Sequence, residues 1–267
     1  MRAAADTAAR LAELIRGADS VVALTGAGIS VPSGIPDFRS PRTGLWENVD
    51  PMDVAHIDVF HRDPERFWNF YGERFQTLEH KQPNGAHRAL AELERAGLLD
   101  AVITQNIDRL HARAGSEQLI EVHGTIAHSS CLRCGERYPL AEVRARQAAD
   151  PGGVPRCRCG RPLKPDVVLF GEYLPVQALA RAQALAAAAD LMLCIGSSLE
   201  VYPVSDLPLA TLAAGGRIAI LTRGPTPLDR RAAVRMRGDI VDDLTAVLAA
   251  LALEGEPEVR HPPPRGP

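Results

Sequence analysis

Lysine is nearly absent from this 267-residue chain: of 30 basic residues only Lys81 and Lys164 are lysines, and the rest are arginines. The skew accompanies abundant Ala, Arg and Pro, as in a GC-rich coding sequence, and no function is attached to it. Neither charge is in large excess. The basic residues face 33 acidic ones for a net charge of −3, which leaves no electrostatic surplus for sequence-independent nucleic-acid binding. Long hydrophobic runs are missing as well, since no stretch reaches the roughly 18 apolar residues of a bilayer-spanning helix. The N-terminal segment is interrupted by Asp6, Glu13 and Asp19 and so lacks the apolar centre of a signal peptide. These absences point to the cytoplasm. Cysteine is sparse, yet Cys131, Cys134, Cys157 and Cys159 fall within 29 positions while Cys194 stands alone in an apolar run. In a reducing compartment the cluster reads as metal ligands and the singleton as a core residue. The remaining composition, 46% hydrophobic and 24% charged, is that of a globular chain able to bury a core.

Short apolar, β-branched runs recur at 20–26, 101–106, 119–124, 166–171, 190–196 and 217–222. They are continuous rather than alternating, as expected when helices cover both faces of a parallel sheet. Helical stretches lie between them at 5–17, 85–97, 176–189, 205–215 and 241–252. This alternation predicts an α/β fold, a Rossmann-like doubly wound parallel sheet. Two segments break the rhythm. Residues 36–83 hold most of the aromatics, among them Trp46, Phe60, Phe67, Trp68, Phe70, Tyr71 and Phe75, and read as a helical insertion. Residues 127–165 hold the clustered cysteines and the turn-rich PGGVP. The expected division is a Rossmann-like large domain from 1–36, 84–126 and 166–253, a smaller domain built from the two insertions at 37–83 and 127–165, and a disordered Pro-rich tail from 254.

Four thiolates presented as Cys131-x-x-Cys134 and Cys157-x-Cys159 match the tetrahedral preference of zinc. A filled four-cysteine shell leaves no position for water, so the predicted ion is structural. Gly26-Ala27-Gly28-Ile29-Ser30 follows the first strand, where glycines let backbone amides approach a phosphate. The third glycine of a GxGxxG fingerprint is missing, because Val31 stands there, and the turn equally suits an ordinary tight bend. Gln105-Asn106-Ile107-Asp108 lies at the C-terminal end of another strand, where open α/β sheets bind ligands, although Asn106 and Asp108 also suit a helix N-cap. His123 ends a third strand and is a candidate general base, against the ordinary case of a structural histidine.

Taken in order and spacing, GAGISVPSGIPDFRS at 26–40, TQNIDRLHARAG at 104–115, EVHGT at 121–125, the cysteine cluster, KPDVVLFGE at 164–172 and GSSLEVYP at 196–203 resemble the sirtuin family of NAD-dependent protein lysine deacylases. The resemblance covers about 20–250. It implies NAD bound between a Rossmann domain and a zinc-containing small domain. Gly26, Ala27, Gly28 and Ser30 would line the dinucleotide, with Asp37, Phe38 and Arg39 on a cofactor loop. Gln105, Asn106 and Asp108 would meet the nicotinamide ribose and carboxamide, and Gly196, Ser197, Ser198, Thr222 and Ile240 the adenosine side. His123 would be the catalytic base, with Asn106 assisting at the reacting end. Val168, Phe170, Gly171, Glu172 and Val201 would pin an acyl-lysine peptide as an added strand. The implied products are free lysine, nicotinamide and O-acyl-ADP-ribose.

Two positions depart from that pattern. Thr222 stands where the family commonly has Asn, which implies a changed NAD contact. Tyr71 and Arg74 resemble the Tyr-x-x-Arg signature of desuccinylases and demalonylases, whereas Val31 and Asp37 look like ordinary deacetylases; the same two residues also suit a core aromatic and a solvated arginine. Acyl-lysine proteins or peptides are the implied partners, with neither membrane nor direct nucleic-acid binding. Two other readings stay open: a mono-ADP-ribosyltransferase, which the intact VVLFGE run disfavours, and a zinc-ribbon docking module carrying Arg133, Arg137, Arg156, Arg158 and Arg161.

Overall fold

The computed structural model of the chain describes residues 2–37 and 50–252. In chain order the helices are α1 (Arg2–Arg16), α2 (Pro51–Val54), α3 (Ile57–Arg62), α4 (Pro64–His80), α5 (Gly85–Arg95), α6 (Leu110–Ala114), α7 (Leu140–Ala149), α8 (Val176–Ala188), α9 (Leu207–Ala213) and α10 (Ile240–Ala250). The strands are β1 (Val21–Thr25), β2 (Ala101–Thr104), β3 (Leu119–Glu121), β4 (Gly124–Cys131), β5 (Arg137–Pro139), β6 (Leu163–Val167), β7 (Leu191–Ile195), β8 (Arg217–Leu221) and β9 (Val234–Met236). Among the described residues no helix is long and apolar enough to cross a membrane.

Continuous apolar strands need a cover on both faces, and the packing supplies it. In β1, Val21 and Ala23 point into a core shared with α1, α5 and α10, while Val22 and Leu24 point into a second core built with α8 and α9. The helices meet the sheet through apolar stripes, such as Ala8, Leu11, Ala12 and Ile15 of α1, all essentially buried. All pairs in the six-stranded sheet are parallel, in the order β3-β2-β1-β7-β8-β9. Strand order therefore reverses between β1 and β7, and the crevice beyond their C-terminal ends is the natural ligand site.

One strand reading needs correction. The run at 166–171 is not a strand of the parallel sheet: β6 spans Leu163–Val167 and pairs antiparallel with β4 in a separate sheet of order β5-β4-β6. Its apolar side chains are continuous because Leu163, Val167 and Leu169 enter a third core, with Phe67, Trp68, Phe75 and Tyr138. The sixth parallel strand is β9, a three-residue edge strand whose short apolar content gave no periodic signal. The third core also takes in Cys131 and Cys157, so the aromatic helices and the cysteine segment pack as one layer. Trp68 fixes that contact by donating its indole N–H to the Leu163 carbonyl at 3.0 Å. Residues 38–49, which include Phe38, Arg39 and Trp46, and the tail from 253 lie outside the described residues.

Candidate active site

At the switch point two turns cross almost in contact. The Gly26 amide donates to the Ile195 carbonyl at 3.0 Å, and the Gly28 amide to the Gly196 carbonyl at 2.8 Å. A Cβ on Gly28 would lie 2.8 Å from Gly196 Cα, and one on Gly196, itself at φ +62°, would lie 2.3 Å from the Ile29 nitrogen. The glycines are thus demanded by the crossing of two chain segments, and the amides of Gly26 and Gly28 are committed to it. This is a different reason from the one expected, in which those amides were free to meet a phosphate.

The crossing places Ser30 beneath the crevice, where a polar network converges on its hydroxyl. Ser30 Oγ donates to Asp108 Oδ2 at 2.7 Å and accepts from Asn106 Nδ2 at 3.2 Å. Asn106 Nδ2 also donates to the Gly26 carbonyl at 3.1 Å, so both its hydrogens are spent and Oδ1 keeps its acceptor capacity. Gln105 behaves alike, donating Nε2 to Ser197 Oγ at 3.0 Å while its backbone amide donates to the Thr25 carbonyl at 3.0 Å. Asp108 is held from two sides: Oδ1 accepts the Leu110 amide at 2.9 Å as α6 begins, one residue ahead of the N-cap position at Arg109, and Oδ2 accepts from Ser30. Burial raises the Asp108 carboxyl above its ordinary range, opposed chiefly by the Ser30 hydroxyl.

His123 stands at the neighbouring strand end. Its Nδ1 lies 3.0 Å from the Gln105 carbonyl, which can only accept, so Nδ1 carries the proton and Nε2 presents a lone pair. Burial lowers the His123 pKa, against the opposing pull of that hydrogen bond, and favours the neutral ring that can take a proton. Glu121, two residues earlier, is raised by burial. The crevice therefore gathers acceptors: two amide oxygens, a carboxyl and an imidazole nitrogen. That set suits a ligand rich in hydroxyl and amide N–H donors, which ribose and a carboxamide are.

In the small sheet, the four cysteine sulfurs lie within 4.8 Å of one another, and none is in a disulfide. Cys131 Sγ and Cys159 Sγ are 3.5 Å apart, as are those of Cys134 and Cys157. Zinc at about 2.3 Å from each of four thiolates would set sulfurs somewhat under 4 Å apart, so the donor set fits a structural zinc. Each pair turns at a left-handed glycine, Gly135 at φ +75° and Gly160 at φ +83°. Tyr138 approaches Cys157 Sγ with its hydroxyl at 3.4 Å and receives the Arg158 amide at 3.2 Å, supporting the cluster from behind.

The sequence matches the model of the Sir2 family over residues 26–203. The chain belongs to the Sir2 family. An NAD-dependent protein deacetylase of Sulfolobus acidocaldarius is 46% identical over 245 residues, covering 91% of this chain and 95% of the relative. A solved structure of Sir2 with a p53 peptide and NAD+ has a TM-score of 0.85 at 41% identity, over 92% of this chain and 98% of that one. A structure of Sir2Tm bound to a propionylated peptide has a TM-score of 0.83 at 41% identity, with the same coverage.

The remaining expected site residues of this Sir2 chain lie on several separate elements. Ser197 is buried beside Gly196, and its Oγ accepts the Leu199 amide at 3.2 Å. Thr222 follows β8, its amide bonded to the Met236 carbonyl at 3.2 Å and its carbonyl held by Arg235 at 2.5 Å. Ile240 opens α10 with its side chain in the core. Phe170 is exposed, and its backbone bridges Ala55 and Ile57 at 3.0 and 2.9 Å. Tyr71 stacks within the aromatic layer, 4.8 Å from Phe67 and 5.3 Å from Phe75, and burial pushes its phenol well up. Arg74 sets its guanidinium carbon over the Phe70 ring, 3.5 Å from the centroid, and donates to the Phe70 carbonyl at 2.8 Å.

Two supporting histidines were not foreseen. His87 is fully buried; Nδ1 accepts the Asn84 amide at 3.4 Å, leaving Nε2–H to reach Ser30 Oγ at 3.4 Å. His111 packs 4.8 Å from it and meets Thr25 Oγ1 at 2.9 Å. The usable signal was Asn84-x-x-His87, an N-cap with its reciprocal partner at the third helical position. Burial holds the His87 pKa at about 4, and burial with His87 as neighbour holds that of His111 at about 3. Below pH ~6.5 the unfolded chain binds protons that the folded chain refuses, so stability is full above that pH and falls as the pH drops toward the folded values. The expected slope reaches up to about 1.4 kcal/mol per pH unit for each histidine. Urea unfolding from pH 7.5 to 4.5 checks this, and His111→Asn should flatten the slope; an unchanged slope would remove His111 from the account.

Proposed function

We propose that this chain is an NAD-dependent protein lysine deacetylase, releasing nicotinamide and O-acetyl-ADP-ribose. The observation that carries the reading is the 3.0 Å contact of His123 Nδ1 with the Gln105 carbonyl, an acceptor that places the proton on Nδ1 and leaves Nε2 as the base at the switch-point crevice. When bound, NAD supplies a nicotinamide–ribose bond whose cleavage lets the acyl oxygen capture the ribose carbon. Asn106 and Gln105 orient the ribose and carboxamide through their free amide oxygens, and Asp108, steadied by Ser30, holds the carboxamide end. Nε2 of His123 takes a proton from a ribose hydroxyl, which then accepts the acyl group. Gly26, Ala27, Gly28, Gly196, Ser197, Ser198, Thr222 and Ile240 are read as the wall along the rest of the dinucleotide, and Asp37, Phe38 and Arg39 as further cofactor-binding residues. Val168, Phe170, Gly171, Glu172 and Val201 are read as the groove for the peptide backbone. Cys131, Cys134, Cys157 and Cys159 would hold zinc in a closed shell that takes no part in chemistry.

Acetyl is the preferred acyl group. Arg74 is occupied by the Phe70 ring and carbonyl, and Tyr71 by its ring stack, so neither residue of this pair is held ready for a succinyl carboxylate. With NAD and matched peptides followed by mass spectrometry, acetyl-lysine should be cleared at least ~10-fold faster than succinyl-lysine, the value of one lost charge-assisted hydrogen bond. Arg74→Met should leave the acetyl rate within about twofold. Faster removal of succinyl, reversed by Arg74→Met, would overturn the preference; labelled ADP-ribose transfer outpacing deacetylation would overturn the reaction class.

A further inference from the structure

One of the two lysines is buried beside the crevice and has no place in the chemistry above. Lys164, on β6, has a side chain 9% exposed, with its ammonium fully engaged: Glu172 Oε2 at 2.8 Å, the Val167 carbonyl at 2.9 Å and the Pro165 carbonyl at 3.2 Å. A buried ammonium needs such partners, and all three lie on the segment that Lys164 itself begins. Glu172 Oε2 also accepts the Leu169 amide at 2.9 Å, while the Glu172 amide donates to the Leu169 carbonyl at 3.0 Å. With Gly171 at φ +86°, residues 169–172 form a turn of the kind that requires glycine at its third position. The ion pair clamps this turn from inside.

The same ammonium reaches His123 through one peptide group. The Val167 carbonyl accepts from Lys164 Nζ, and the N–H on the other side of that peptide, at Val168, donates to the His123 carbonyl at 2.8 Å. An acceptor held by a charge makes its own N–H a better donor, so the two bonds reinforce each other. Gly124 presses the contact close, since a Cβ there would lie 2.1 Å from the Asp166 carbonyl oxygen. We propose that Lys164, with Glu172, is a positioning residue that sets the distance between the acyl-lysine groove and His123. The inference rests on the reading of His123 as base and 168–172 as groove.

Steady-state kinetics with NAD and an acetyl-lysine peptide, varied in turn, test it. Lys164→Met should raise the peptide KM about tenfold or more and lower kcat, while the NAD KM stays within about twofold. Lys164→Arg, which keeps charge and donors, should recover most of the loss, and Glu172→Gln should shift the peptide KM in the same direction. A merely structural role lowers the amount of active enzyme and leaves both KM values alone; that result, in Lys164→Met or, if it does not fold, in Glu172→Gln, overturns the proposal. Absence of turnover in the unmutated chain is instead a failure of the functional reading. Peptide affinity by fluorescence anisotropy then decides the positioning role by itself, and unchanged affinity in both variants would end it.

Discussion

Replacing His123 with alanine is expected to lower turnover by about a hundred- to ten-thousand-fold, the usual contribution of a positioned general base. The fold should survive, because among the described residues the imidazole makes one hydrogen bond, to the Gln105 carbonyl, and it sits in the link between β3 and β4 rather than filling a core. Thermal denaturation should therefore stay close to that of the parent while NAD and acetyl peptide are no longer consumed together. The pH profile offers a second check. Since burial lowers the His123 pKa, the ring is neutral and active at pH values where an ordinary histidine is protonated, and the acid limb of kcat/KM should fall below pH ~6.5. A His123→Ala chain that folds and retains its rate would remove the residue from the chemistry.

Cys131→Ser, or chelation of the metal, is expected to act on stability before chemistry. Cys131 and Cys157 belong to the third core with Trp68, Phe67 and Tyr138, and Cys131 closes β4, the centre of the small sheet. Opening the sulfur cluster frees two loops and the core they cap, and losses of this kind exceed roughly 4 kcal/mol. In a chain of this size that lowers the Tm by about 10 °C or more. Activity should fall in step with the unfolded fraction, because β4 begins at Gly124, directly after His123. A Cys131→Ser chain with normal zinc content and normal melting would refute the four-cysteine site.

Much of this architecture was legible beforehand because parallel strands covered on both faces must be apolar throughout. Five of the six apolar runs are strands of the large sheet, and the helices between them carry readable stripes. The exception at 166–171 is instructive: apolar continuity reports burial on both sides without saying against what, and here the cover is an aromatic layer from 60–75. β9 escaped for the opposite reason, since three residues at a sheet edge carry too little period to read. Among the candidate site residues, Gln105, Asn106, Asp108 and His123 announced themselves as polar groups at strand ends. His87, His111 and Lys164 did not, because a buried polar residue is recognised by its partners, and those partners are distant in the chain.

The sequence by itself determined the α/β class, the cysteine cluster and the family resemblance, because local periodicity, ligand spacing and motif order are properties of the chain. Only the tertiary structure decided why Gly26, Gly28 and Gly196 are glycines, which nitrogen of His123 is free, and what becomes of Lys164 and Arg74. Each of those answers is a contact between segments, set by how closely two backbones cross or by which acceptor a single proton can reach, and such distances exist only once the sheet has assembled.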